Sequence, residues 1–176
     1  MEIYTTQYLS PLGPITLACD DDAIIGLWFN GQKYCANILP DPALMTQASE
    51  HPLLSQASRW LDIYFSGKNP PFLPPLRANS TPFRKRVCEI MLTIAYGKTM
   101  TYGEIANIIA KEKGLEKMSA QAVGGAVGHN PIAIMIPCHR VVGTNGSLTG
   151  YAGGLDRKVK LLTLEGVDIS CYGYSS

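Results

Sequence analysis

Four prolines within six residues, in the stretch Asn69-Pro70-Pro71-Phe72-Leu73-Pro74-Pro75, constrain this chain more than any other feature. Proline lacks the amide donor and disfavours helix in the residue before it, so neither a continuous helix nor a central strand can run through this stretch. The chain is therefore read as two blocks, 1–79 and 80–176, each of a size that suits a small domain. Before the break, residues 3–29 alternate β-rich runs with turn signals: Ile3-Tyr4-Thr5-Thr6, Ser10-Pro11-Leu12-Gly13-Pro14, Asp20-Asp21-Asp22, then the apolar run from Ile24 to Phe29. That pattern predicts a small antiparallel meander. Leu54, Ala57, Leu61 and Phe65 fall at helical spacing, which predicts one helix over 53–65 with Gly67 as its stop.

After the break the periodicity turns helical. Ser80-Thr81-Pro82-Phe83 is a hydroxyl cap followed by proline at the first helical position, and Val87, Ile90, Met91 and Ile94 mark the buried face of a helix reaching about Ala95. Thr101-Tyr102-Gly103-Glu104 has the spacing of a capping box, and Ile105, Ala106, Ile108 and Ile109 continue a second helix. A third begins at Ser119. Its residues, Ala120-Gln121-Ala122-Val123-Gly124-Gly125-Ala126-Val127-Gly128, are nearly bare of bulk, and each interior glycine costs roughly 0.5 to 1 kcal/mol against alanine. Two short helices joined by a loop suit a helix-turn-helix whose second member approaches DNA closely, while tight packing inside the core explains the same small residues. The fold class predicted is α+β: an antiparallel sheet with a helix, then a mostly helical domain.

The chemistry-bearing residues follow the third helix. His129-Asn130-Pro131 is a turn signal, residues 132–136 form an apolar run read as a buried strand, and Pro137-Cys138-His139-Arg140 comes next. Neighbouring side chains on a strand point to opposite faces, so Cys138 and His139 can serve one site only if the backbone turns there. A free thiol is a few per cent ionised at neutral pH, and an adjacent histidine can raise that fraction, so Cys138 is a candidate nucleophile with His139 as its base. The bland alternative is a buried small hydrophobe beside a surface histidine. Further on, Gly166 is placed to cap a helix begun near Leu155, which sets Glu165 at the negative end of the helix dipole, where a carboxylate is disfavoured by about 0.3 to 1 kcal/mol.

Composition excludes some classes and leaves DNA open. No run approaches the roughly 18 apolar residues of a membrane span, and Met1-Glu2-Ile3-Tyr4 lacks the features of a signal peptide, which predicts a cytoplasmic protein. The five cysteines, Cys19, Cys35, Cys88, Cys138 and Cys171, are odd in number without CxxC spacing, so neither a disulfide framework nor a zinc site is expected. A net charge of +1 does not advertise a nucleic-acid binder, although basic residues gather at Arg84-Lys85-Arg86, at 111–117 and at Arg157-Lys158 with Lys160.

The run Ile136-Pro137-Cys138-His139-Arg140-Val141-Val142 resembles the active-site signature of the O-6-alkylguanine-DNA alkyltransferases, also called methylated-DNA-protein-cysteine methyltransferases. Thr101-Tyr102-Gly103-Glu104, Ala122-Val123-Gly124-Gly125-Ala126, Asn130-Pro131, Gly150-Tyr151-Ala152-Gly153-Gly154 and Glu165-Gly166 follow in the family order. The resemblance implies a ribonuclease-H-like N-terminal domain and a C-terminal domain that takes an alkyl group from the O-6 of guanine irreversibly onto Cys138, leaving repair of the O-4 of thymine open. By the same resemblance Cys138, His139 and Glu165 form a relay through water, Tyr102 polarises the leaving guanine at N3, and Asn130 braces the turn. Val141, Tyr151, Ala152 and Gly153 would hold the base and its alkyl group. Ala120, Gln121, Ala122, Gly124 and Gly125 would face the minor groove of double-stranded DNA as a monomer flips the damaged nucleotide out of the stack. Gln121 departs from the arginine common at that position, and Ala152 lacks a hydroxyl some relatives carry. No cofactor or metal is implied.

Two other readings of the same residues are a Cys-His hydrolase that turns over through an acyl-enzyme, and a non-enzymatic binder or regulator of alkylated DNA. The first needs an oxyanion hole and a leaving-group acid that the sequence does not reveal. The second belongs to relatives without the acceptor cysteine, and Cys138 is present.

Overall fold

The structure, a computed structural model, describes residues 2–33 and 45–174. Met1 and Cys35 lie outside the described residues. The chain divides into two compact units, one of Met1–Asn79 with Pro131–Met135 and one of Ser80–Asn130 with Ile136–Ser176.

In the first unit, strands β1 (Ile3–Ser10), β2 (Gly13–Cys19) and β3 (Ile24–Phe29) form the antiparallel meander. A short β4 (Met45–Gln47) adds in parallel to β1, so the sheet is mixed, in the order β3-β2-β1-β4. The aspartate run turns the chain because the Asp20 carboxylate accepts from the amides of Asp22 (2.8 Å) and Ala23 (3.0 Å). Every residue of β3 is buried, which its unbroken apolar run requires. Helix α1 (Pro52–Phe65) buries Leu54, Ala57, Trp60, Leu61 and Tyr64. Its cap is His51, whose Nδ1 accepts from the Leu53 amide at 3.2 Å and lies 3.4 Å from the Cys19 sulfur, a pairing with no local sequence signal. The proline-rich stretch runs irregularly and ties to β3 through Ile24 N to Pro75 O (2.8 Å) and Arg77 N to Ile24 O (2.9 Å).

The apolar run at 132–136 is not the buried strand that its composition suggests. Ile132 makes one isolated bridge with Leu27, Ile134 sits at φ 68°, and Met135 N bonds back to Ala133 O at 2.8 Å. A β-branched residue in the left-handed region ends any extended strand. The run is nonetheless buried throughout, so burial rather than a strand accounts for its composition.

The second unit holds α2 (Pro82–Met91), α3 (Tyr102–Glu112), α4 (Ala120–Gly128) and α5 (Leu155–Leu164). Thr81 and Ser119 cap α2 and α4 through their side chains, and Thr101 and Glu104 complete a reciprocal capping box on α3. Helix α2 stops at Met91 rather than near Ala95, because Thr93 N and Ile94 N bond three residues back, to Ile90 O and Met91 O, and tighten the chain into turns. Helices α3 and α4 pack on one another, with a connection at 113–119 longer than the three or four residues of a compact helix-turn-helix. Strands β5 (Met100–Thr101) and β6 (Val141–Val142) pair in parallel, as do β7 (Ser147–Leu148) and β8 (Gly173–Tyr174). Among the described residues no helix is long and apolar enough to cross a membrane, and no three His, Cys, Asp or Glu side chains gather as metal ligands.

Candidate active site

Cys138 opens a single 3-10 turn, Cys138–Arg140, in which it is 6% exposed and His139 fully buried. Here the backbone turns, bringing the Cys138 amide onto Ile136 O at 2.8 Å. Pro137 suits the entry, with φ −83° and no amide to satisfy.

The Glu165 carboxylate, at the C-terminal cap of α5, is almost wholly buried and organises the site. His139 Nε2 lies 2.5 Å from Oε2, while Oε1 accepts from Arg140 Nε at 2.8 Å and from the Gly97 amide at 2.9 Å. Arg140 also donates to Ile94 O at 2.7 Å. A full counter-charge and an amide outweigh the unfavourable helix dipole at this position, which costs under about 1 kcal/mol. Burial works against the charge, but His139 and then Arg140 outweigh it and bring the Glu165 carboxyl down to about 2. Burial likewise pulls His139 below its ordinary value, against the pull of Glu165, so the imidazole is neutral. Since an ionised carboxylate only accepts, His139 carries its proton on Nε2, and Nδ1 is the basic nitrogen.

Burial pushes the Cys138 thiol up; the Asn130 amide, the Lys158 ammonium and the Cys138 and His139 backbone amides pull the other way without overcoming it. The resting sulfur is thus a thiol. Asn130 is buried and bridges the turn by donating to Ile136 O at 2.8 Å. Tyr102, the first residue of α3, donates its hydroxyl to Thr149 O at 3.3 Å, and burial together with Cys138 raises it to about 12, so the phenol holds its proton. Val141, in β6, is buried, as is Gly153 on the turn before α5, where Tyr151 and Ala152 are partly so.

Lys158 is the residue that motif reading missed. It is wholly buried, and its ammonium donates to the carbonyls of Val141 (2.6 Å), Thr149 (3.2 Å) and Gly150 (3.2 Å), 6.0 Å from the centre of the Tyr102 ring. Burial lowers it to about 8, and Cys138 raises it. In the sequence it passes for part of a basic surface cluster. The available signal was its spacing: Lys158, Leu161 and Leu162 lie at i, i+3 and i+4 on the buried face of α5. Lys158→Met is expected to raise the pH midpoint at which iodoacetamide alkylates Cys138, because the thiolate loses a neighbouring cation. An unshifted midpoint would show that the ammonium does not act on the sulfur.

On α4, Val123, Ala126 and Val127 face inward, whereas Ala120, Gln121, Ala122 and Gly125 are exposed and Gly124 is partly so. A Cβ added at Gly125 or Gly128 would meet nothing within 4 Å, and at Gly124 it would make an ordinary 4.0 Å contact with the Tyr102 ring. Tight core packing therefore does not account for these glycines. What they leave is a smooth helix face on which a second surface can lie close.

Comparison with known proteins bears on both units. The family model described as 6-O-methylguanine DNA methyltransferase, DNA binding domain, matches residues 82–167, and the one for the ribonuclease-like domain of the same proteins matches residues 3–78. The methylated-DNA–protein-cysteine methyltransferase of Mycobacterium tuberculosis is 42% identical over 159 residues, spanning 89% of this chain and 88% of its own. That of Methanosarcina acetivorans is 42% identical over 164 residues, 93% of this chain and 99% of its own. The crystal structure of Mycobacterium tuberculosis OGT in complex with DNA superimposes with a TM-score of 0.76 at 39% identity, covering 98% of this chain and 96% of that one.

Proposed function

The chain belongs to the methylated-DNA–protein-cysteine methyltransferase family, and from that premise we propose that it repairs alkylated guanine in duplex DNA by taking the alkyl group once and irreversibly onto Cys138. One observation carries the assignment of roles: beside Cys138 in the same turn lies a neutral imidazole whose far nitrogen is anchored 2.5 Å from a buried carboxylate. Glu165 fixes the tautomer and stabilises the imidazolium that forms, as a buried acid does behind any histidine base.

In the proposed reaction the thiol proton passes through a water to His139 Nδ1 as the sulfur attacks the alkyl carbon. The bond from that carbon to guanine O-6 breaks, its electron pair stays on the base, the base is protonated at N3 from the Tyr102 hydroxyl, and the phenolate then regains a proton through solvent as the His139 imidazolium gives its own up, so that one proton passes net from thiol to base. With an affinity near 12, that phenol holds its proton until a strongly basic purine develops beside it. Backbone groups of Cys138, Val141 and Ala152 would read the purine edge. Val141 O already accepts from Lys158, which leaves its second lone pair for the base.

The substituent on O-6 is beyond the reach of a buried thiol while the base is stacked, so the nucleotide must leave the helix. The exposed small residues of α4 suit close approach to the minor groove, with Gln121 as the side chain that enters the vacated place. All these residues come from one unit of one chain, which suits action as a monomer.

Intact-protein mass spectrometry after mixing with a duplex carrying one O-6-methylguanine tests the proposal. We expect a gain of one methyl group per protein and no more, mapped to Cys138. Unchanged protein with DNA still bound would favour a non-enzymatic damage binder, and repeated turnover without retained mass would favour a hydrolase.

A further inference from the structure

We propose that the connection between α3 and α4 is a phosphate-binding arm, in which Lys111, Lys113 and Lys117 hold the DNA backbone beside the α4 face and supply the salt-dependent part of duplex affinity. The proposal rests on the DNA-repair reading above and adds where the charge of the backbone is met.

The need for such a group follows from the distribution of charge. The chain carries a formal net charge of +1, so its overall field gives a polyanion little attraction. Helix α4 contains no Lys or Arg, and the face it exposes is built of small neutral residues and Gln121. Downstream of α4, Arg140 is engaged by Glu165 and Ile94 O, and Lys158 by three carbonyls. A duplex lying on α4 therefore meets its counter-charges upstream of the helix, where the connection offers them.

Residues 111–117 hold three lysines and two glutamates, all of them exposed. Glu112 does not neutralise the lysines, because Arg86 of α2 takes it: Arg86 Nε donates to Glu112 Oε2 at 2.9 Å, and a second guanidinium nitrogen pairs with Oε1. Within the segment, Glu116 is then left against three ammonium groups.

The arm has a defined shape. Lys113 N bonds to Ile109 O at 3.0 Å, Gly114 N to Lys111 O at 3.2 Å and Leu115 N to Ala110 O at 2.8 Å, with Gly114 at φ 65°, which is the closed turn that ends a helix on a left-handed glycine. The Lys113 ammonium lies 5.5 Å from the centre of the Phe83 ring, and this sets the connection beside the first turn of α2, where Lys85 is also exposed. Lys111 has a local reason to be basic, since the negative end of α3 favours a cation in its last turn. Lys117 has none: it stands just ahead of the positive end of α4, where a cation is disfavoured. Only two steps of chain, at most about 7 Å, separate it from the Ser119 cap, so its side chain borders the exposed start of α4.

The test follows duplex affinity by fluorescence anisotropy as a function of salt, on undamaged duplex and on duplex carrying one O-6-methylguanine. The wild type is compared with the triple variant Lys111→Gln, Lys113→Gln, Lys117→Gln, and with a control that removes three exposed charges from the first unit, Lys33→Gln, Arg59→Gln, Lys68→Gln. We expect the arm variant to flatten the slope of log affinity against log salt by about 2 to 3, at about 0.9 per phosphate contact, so that its deficit shrinks about 40-fold between about 50 and 200 mM salt. The deficit should be equal on the two duplexes, because phosphate contacts carry no information about the base. Arginine at the same three positions should restore the slope, and the control should keep it. An unchanged slope in the arm variant overturns the inference. So does an equal flattening by the control, which would mean that net charge acts rather than the arm, and so does a deficit confined to the damaged duplex. An arginine variant that stays flat overturns it too, since the turn and not the charge would then be what was lost. Methyl transfer is followed in the same samples: a wild type that binds duplex with a steep slope yet transfers no methyl group overturns the alkyl-transfer reading and leaves the arm standing.

Discussion

Cys138→Ala is expected to bring alkyl transfer below detection while duplex binding persists. Losing a nucleophile that acts together with its base removes essentially the whole chemical acceleration, commonly about a millionfold. Of the other thiols of this unit, Cys88 is buried and pushed up by that burial, and Cys171 is exposed on a separate turn, Ile169–Cys171, so neither stands in the place of Cys138. The fold should tolerate the change, since Cys138 contributes one small side chain and the Asn130 amide still has Ile136 O to bond. Binding should persist because the α4 face lies outside the turn Cys138–Arg140. The measurement is single-turnover transfer from O-6-methylguanine duplex, with binding followed by fluorescence anisotropy. Transfer by the variant at a rate near the wild type's would remove Cys138 from the mechanism, and loss of binding together with transfer would point to a structural role instead.

For Glu165→Gln we expect a cost to both folding and rate. The substitution keeps the volume but leaves the Arg140 guanidinium, 8% exposed, without its counter-charge, and breaking a buried pair from one side costs about 3 to 5 kcal/mol. His139 loses the acceptor that fixes its tautomer, so transfer should slow by about 10²-fold or more, since a general base contributes 10² to 10⁴. The acid leg of stability should change as well. The Glu165 carboxyl is lower in the folded protein, at about 2, than its ordinary value near 4.5. A depressed carboxyl stabilises the fold above its unfolded value, here by roughly 3 kcal/mol at 1.4 kcal/mol per tenfold in proton affinity, and that contribution is lost as pH falls from about 4.5 towards 2. Denaturant titrations at pH 7, 4.5 and 2.5 should show the wild type losing this increment and the variant lacking it. Equal stability of the two at pH 7 would refute the proposed clamp.

The local signals of this chain were legible because their physics acts within a few residues. Thr81, Thr101 with Glu104, and Ser119 start helices since a hydroxyl three residues ahead of an amide satisfies it wherever the helix lies. Alternating strands and aspartate turns made the meander readable, and Gly166, at φ 84°, ends α5 because a left-handed residue is least strained without a side chain. The motif Pro137-Cys138-His139 likewise named its candidates from chain order alone.

What distant backbone does is another matter, and there only the tertiary structure decided. Whether Lys158 was a surface charge or a buried one depended on whether the carbonyls of Val141, Thr149 and Gly150 would converge on it. Arg140 was one letter of a motif until Glu165 and Ile94 O met its guanidinium. The apolar run at 132–136 satisfied the composition of a strand, yet it found one bridging partner in Leu27 and then turned. Helix caps and hairpin turns are closed by neighbours in sequence, so the sequence by itself determined them. The charge state of Cys138, the tautomer of His139 and the orphaned hydroxyl of Tyr151 are set by desolvation and by partners many residues away, and desolvation exists only once the chain has closed around them.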